Sequence, residues 1–147
     1  KFEGSTYNDL PFKFEGGTPN IAGGIGLEAA IRFMEELGVD NIAKQEDELL
    51  AYVTEKLKAL GGIRFIGEAK NKAGMVSFIM EGIHPYDAGS TLDKLGVAIR
   101  TGHHCAQPVM ARFDIPGTIR ASFAVYNTKE EIDVFIAGIQ RVKLMFG

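Results

Sequence analysis

A single cysteine among 147 residues excludes an internal disulfide, the usual staple of small secreted domains, so a reducing, cytoplasmic setting is the default expectation. Long apolar runs are missing too. None approaches the roughly 20 residues that span a bilayer, and Lys1-Phe2-Glu3-Gly4 lacks the character of a signal peptide. No stretch of Lys or Arg exceeds two, and the formal charge is -3. Neither nucleic acid nor an anionic membrane finds an electrostatic footprint on such a chain, which leaves a small molecule or a protein as partner. No repeat, linker or low-complexity segment appears, and 46% hydrophobic residues provide a core for one domain. The chain starts without Met, inside what reads as ordered sequence, and is therefore expected to be a fragment or a processed form.

The first twenty residues show little periodicity and end in the turn formers Glu15-Gly16-Gly17-Thr18-Pro19-Asn20, which reads as an extended arm and loop. Asn20 can cap a helix running to about Leu37, with Ile21, Ile25, Ala29, Phe33 and Leu37 on one face and Gly38 as its stop. A second helix is predicted from about Asn41 to Leu60, its stripe formed by Ile42, Leu49, Leu50, Val53, Leu57 and Leu60. Short β-rich runs follow at Ile63 to Ile66, Met75 to Met80, Val97 to Arg100 and Ile119 to Val125. Between them Pro85 to Leu95 fits a helix ended by Gly96, and Ala106 to Phe113 fits one or two helical turns. Thr128-Lys129-Glu130-Glu131 has the form of a capping box opening a last helix to about Phe146. The sum is an α+β domain of about four strands with helices packed on one face.

Chemistry concentrates in Arg100-Thr101-Gly102-His103-His104-Cys105-Ala106-Gln107-Pro108. A thiol attacks as thiolate, and neighbouring cations or hydrogen-bond donors favour that form. Free cysteines are often small buried hydrophobes, but this segment is too polar for a core strand and is bounded by the turn formers Gly102 and Pro108. Zinc is a poor fit, because three adjacent residues do not converge readily on a tetrahedral ion and His84 is the only further histidine. A Cys-His hydrolase fits the adjacency better, although such partners usually meet through the fold. Arg100 and Arg120 lie in predicted strands on either side of the Cys loop. Such a pair can grip a carboxylate in bidentate fashion. Gly16-Gly17-Thr18 precedes a helix start, where phosphate can bind, although an ordinary capped helix start reads the same way.

Three stretches, Arg100 to Pro108, Phe14 to Asn20 and Arg120 to Thr128, closely resemble the cysteine desulfurases of the SufS/CsdA type, pyridoxal-phosphate (PLP) enzymes of the aminotransferase class V family. The resemblance runs in order through essentially the whole chain. It implies the C-terminal small domain of a fold-type I PLP enzyme. Residues 1-20 would be an active-site arm at the end of the large domain, and 21-147 the small domain with a connecting helix. The implied reaction converts L-cysteine to L-alanine, with the sulfur taken by Cys105 as a persulfide and passed to an acceptor protein for iron-sulfur cluster assembly. On the same ground Arg120 grips the substrate carboxylate, Arg100 supports it, His103 and His104 line the pocket, and Thr18 reaches the PLP phosphate across a homodimer. The family's Schiff-base lysine follows a histidine, and no His-Lys pair occurs here, so the fragment alone is expected to be inactive. Selenocysteine lyase activity and a non-catalytic module docking a sulfur acceptor are the alternatives.

Overall fold

A computed structural model describes residues 2–147, which divide into two compact units, Lys1–Gly38 and Val39–Gly147. In the first, the arm holds one 3-10 turn, Phe12–Phe14, and leads into helix α1, Ile21–Leu37. Asn20 caps α1 as predicted, its Oδ1 accepting from the Gly23 N–H at 2.9 Å. Gly38, at φ 83, ends it by donating to the carbonyls of Met34 and Glu35. The apolar positions of α1 share a face as expected, yet none of its residues is buried.

The second unit begins with α2, Val39–Ala59, followed by β1, Ile63–Phe65, and β2, Met75–Met80. Next come α3, Pro85–Lys94, β3, Arg100–Gly102, α4, Gln107–Phe113, β4, Thr118–Ser122, and α5, Lys129–Phe146. The strands form an antiparallel sheet in the order β1-β2-β4-β3. Alternation along β2 buries Val76, Phe78 and Met80, and β4 adds Ile119 and Ala121 to the same side. Against this face lie Leu49, Val53 and Leu57 of α2, Leu92 of α3, and Ile132, Phe135, Ile139 and Val142 of α5. The Phe78 and Phe135 rings meet edge to face at 6.4 Å. The α+β expectation of four strands with helices on one face is met.

Two local features fix the helix ends. Thr128 and Glu131 form the predicted capping box, each side chain taking the other's backbone N–H. Lys143 of α5 donates to the carbonyls of Leu60 and Gly61 just beyond α2, where a cation also complements the helix dipole. The third strand departs from expectation. It was predicted over Val97 to Arg100, but pairing begins at Arg100 and runs to Gly102. The Val97 N–H is taken by the Leu92 carbonyl, so the segment after Gly96 leaves α3 as a helix-end turn before it meets the sheet. The strand predicted to Val125 likewise ends at Ser122, because the Asn127 side chain draws the Ala124 N–H into a turn.

Candidate active site

The segment that carries the cysteine starts as an edge strand and is handed to a tight turn. Gly102, at φ 111, closes β3 opposite Thr118. Its backbone lies so near Gly117 that a Cβ there would sit 2.7 Å from the Gly102 carbonyl carbon. The turn follows with His104 at φ 53 and Cys105 at φ 55, two successive non-glycine residues in the left-handed region, each costing about 1–2 kcal/mol. Two ties hold it, the Cys105 N–H donating to His103 Nδ1 at 3.0 Å and the Ala106 N–H to the His103 carbonyl at 2.8 Å. Cys105 ends up exposed, which removes the reading of a small buried hydrophobe.

The arginines come together through strand register. Arg120 pairs with Arg100 on one side and with Ser77 on the other. Directly opposite residues project from the same face, so Ser77, Arg120 and Arg100 make one row on the face away from the helices. Like charges in this position repel. Arg120 is partly buried, and its Nε is buried with no hydrogen-bond partner among the described residues. Beside the pair is a shallow cleft of about 170 Å³ lined by Ala98, Ile99, Arg100, Arg120 and Ser122. A larger groove of about 680 Å³ follows α2 and the 70–72 loop. Its mixed Asp, Glu and Lys lining offers no convergent set, so the site is placed at the arginines.

His104 links the turn to the sheet through Nε2, 2.9 Å from the Thr118 hydroxyl. Burial pushes its pKa below the ordinary 6.5, and the positive charges of Arg120 and Arg100 add to this, while a main-chain hydrogen bond with Thr118 works the other way. The balance favours the neutral ring. Of the residues singled out from sequence, Arg100, Arg120, His103, His104 and Cys105 gather at this end of the sheet. Thr18 belongs to the unit Lys1–Gly38 and is exposed there, after Gly16 and Gly17. Sequence reasoning passed over Thr118, although its place two residues before Arg120 puts it on the same strand face.

The chain belongs to the aminotransferase class-V family, whose model matches residues 1–135. It is similar to the probable cysteine desulfurase of Halalkalibacterium halodurans, 51% identical over 143 residues that make up 97% of this chain and 35% of that protein. Among solved structures it is similar to the apo cysteine desulfurase of Thermococcus onnurineus NA1, with 42% identity, a TM-score of 0.85, and coverage of 97% of this chain and 36% of that one. It also resembles the Escherichia coli cysteine desulfurase CsdA (S-sulfonic acid), with 33% identity, a TM-score of 0.86, and coverage of 100% and 36%. The chain thus spans about a third of the length of these relatives and corresponds to their C-terminal part.

Proposed function

We propose that this chain is the cysteine-bearing C-terminal portion of a cysteine desulfurase, in which Cys105 takes sulfur from L-cysteine as a persulfide and L-alanine leaves. The observation that carries the reading is the exposed Cys105 thiol on a left-handed turn, one turn away from two arginines in cross-strand register. Paired guanidinium groups in cross-strand register fit a carboxylate, which can bridge them and relieve their repulsion. Arg120 binds the substrate carboxylate in this reading, and Arg100 supports it.

For pyridoxal phosphate, the residues of this chain fit at one point. Thr18 offers an exposed hydroxyl after Gly16 and Gly17, where nothing lies within 4 Å of either glycine's Cβ position, and such a loop suits a phosphate. When bound, pyridoxal phosphate supplies an electron sink that labilises the substrate Cα proton. No His-Lys pair of the kind the resemblance implies for the Schiff-base lysine occurs among these 147 residues, so on this reading they do not turn over cysteine by themselves. The steps assigned to the chain are binding of the carboxylate and capture of the sulfur. The Cys105 thiolate attacks the substrate sulfur, and an S–S bond forms as the substrate C–S bond breaks. The bonding pair leaves with carbon, which takes a proton to become the methyl group of alanine. His103 and His104 line this space.

The persulfide is exposed enough to pass to an acceptor protein, in keeping with iron-sulfur cluster assembly. A homodimer in which Thr18 serves the partner's cofactor belongs to the same proposal, with residues 1-20 as its active-site arm. A cytoplasmic setting belongs to it as well. Among the described residues no helix is long and apolar enough to cross a membrane. The test is Cys105→Ser in the full-length enzyme, with alanine release from L-cysteine and the mass of the Cys105 peptide as readouts. Loss of alanine and of the added sulfur is expected, whereas retained turnover would sink the proposal.

A further inference from the structure

We propose that Thr118 is a positioning residue of this site: its hydroxyl holds the His104 ring, and with it the strained turn that presents Cys105, leaving His104 Nδ1 as the nitrogen that exchanges protons. The inference rests on the desulfurase reading and deepens it. Thr118 is 1% exposed, the one buried polar side chain among the described residues. A buried hydroxyl requires a partner, and the partner it has is His104 Nε2 at 2.9 Å. Because Gly102 and Thr118 are the last registered pair of the β3–β4 ladder, this bond is the first tie between sheet and turn beyond the ladder. It reaches a backbone that local energetics disfavour, with φ 53 and φ 55 at His104 and Cys105.

The two histidines then differ in what they can do. His103 Nδ1 accepts the Cys105 N–H, so in the neutral ring the proton sits on Nε2. For His104 the Thr118 hydroxyl can either accept from Nε2–H or donate to bare Nε2. With Nε2 held by Thr118, the nitrogen left for exchange is Nδ1, which has no hydrogen-bond partner among the described residues. The charged and titratable groups that bear on His104 are Arg120 of β4, Arg100 of β3 and neighbouring His103. All oppose a positive charge on the ring, which favours its neutral form.

The experiment uses the full-length enzyme as wild type, Thr118→Val and Thr118→Ser. Nitrogen-15 NMR of labelled histidine gives the tautomer and titration of His104, and peptide-resolved alkylation by iodoacetamide gives the reactivity of Cys105 against pH. In wild type, His104 should titrate below 6.5 with Nε2 hydrogen-bonded. In Thr118→Val its titration should move up towards 6.5 as the ring swings into water, and the alkylation profile should move with it. Alanine formation should fall roughly ten- to a hundredfold in kcat, and Thr118→Ser should restore all three. A folded Thr118→Val enzyme whose His104 titration and alkylation profile match wild type overturns the inference. Should the valine enzyme not fold, the wild-type spectrum decides: an unbonded Nε2, or titration at or above 6.5, overturns it equally. Cys105→Ser separates the two levels. If that variant stays active the desulfurase reading falls, and if it is dead while Thr118→Val behaves as wild type only the role of Thr118 falls.

Discussion

Replacing Gly117 by Ala tests whether the cysteine turn is held by backbone contact. The added Cβ would lie 2.7, 2.8 and 2.9 Å from the carbonyl carbon, oxygen and Cα of Gly102. Carbon atoms rest comfortably at about 3.5–4.0 Å, so β3 and β4 have to part by roughly 1 Å at this end. Neither backbone can swing aside as a side chain would. Overpacking of this kind costs about 1–3 kcal/mol, and parting the Gly102–Thr118 pair weakens a ladder hydrogen bond worth about 1 kcal/mol net. The expected loss is therefore about 2–4 kcal/mol, or roughly 8–20 °C in Tm for a unit of this size. Urea and thermal unfolding followed by circular dichroism measure it. Gly138→Ala is the control, because its Cβ meets a leucine methyl, Leu92 Cδ2 at 2.6 Å, while Ala gains helix propensity worth nearly 1 kcal/mol. A loss below about 0.5 kcal/mol for Gly117→Ala, the range of indifferent surface changes, or a greater loss for Gly138→Ala, would refute the reasoning.

Phe78→Ala removes a fully buried ring from the centre of the core and is expected to cost about 3–5 kcal/mol in the same unfolding assay. Thr128→Ala deletes one half of the capping box and should cost about 1 kcal/mol. The other half carries a pH signature. The Asn127 side chain, and then the Thr128 N–H, hold the Glu131 carboxyl below its ordinary 4.5, so its contribution is present above that value and lost as pH falls through the folded pKa. Glu131→Gln should remove that part of the acid limb of Tm against pH. For His104, depressed below 6.5 by burial and then by Arg120, the unfolded chain binds the proton more readily. Stability should therefore be full above 6.5 and decline as pH falls towards the folded pKa, and His104→Gln should flatten that decline.

What was legible in the sequence was whatever a local signal determines. α5 was readable because Thr128 and Glu131 satisfy each other within one turn and the buried Ile132, Phe135, Ile136, Ile139 and Val142 follow a helical period. α1 was readable from Asn20 and Gly38, which act on their own neighbours. The third strand was misplaced because the apolar run Val97 to Ile99 is β-like in isolation, whereas its start is set by the Leu92 carbonyl five residues back. At the site, residue type flagged Cys105 and the two arginines. Their joining needed the register Arg100 to Arg120, which lies between segments twenty residues apart and is fixed by packing of the opposite sheet face. Gly117 and Thr118 carried no local signal, since each acts on a segment about fourteen residues away.

The two faces of the sheet obey different rules. On the helix side, propensity, alternation and burial agree: Val76, Phe78 and Met80 alternate into the core, and the helices cover them with complementary apolar stripes. On the other side, the rules are broken three times within one small region. Two arginines oppose each other across a ladder, a guanidinium Nε is buried without a hydrogen-bond partner among the described residues, and two consecutive non-glycine residues hold positive φ. Each costs on the order of 1 kcal/mol or more. Scattered violations would signify only a loosely optimised fold. Violations gathered at one sheet end, around the chain's one thiol, are what a functional site leaves. The sign of the charges favours an anion, since one that bridges Arg100 and Arg120 turns their repulsion into attraction. On the desulfurase reading proposed above, that anion is the carboxylate of the amino-acid substrate.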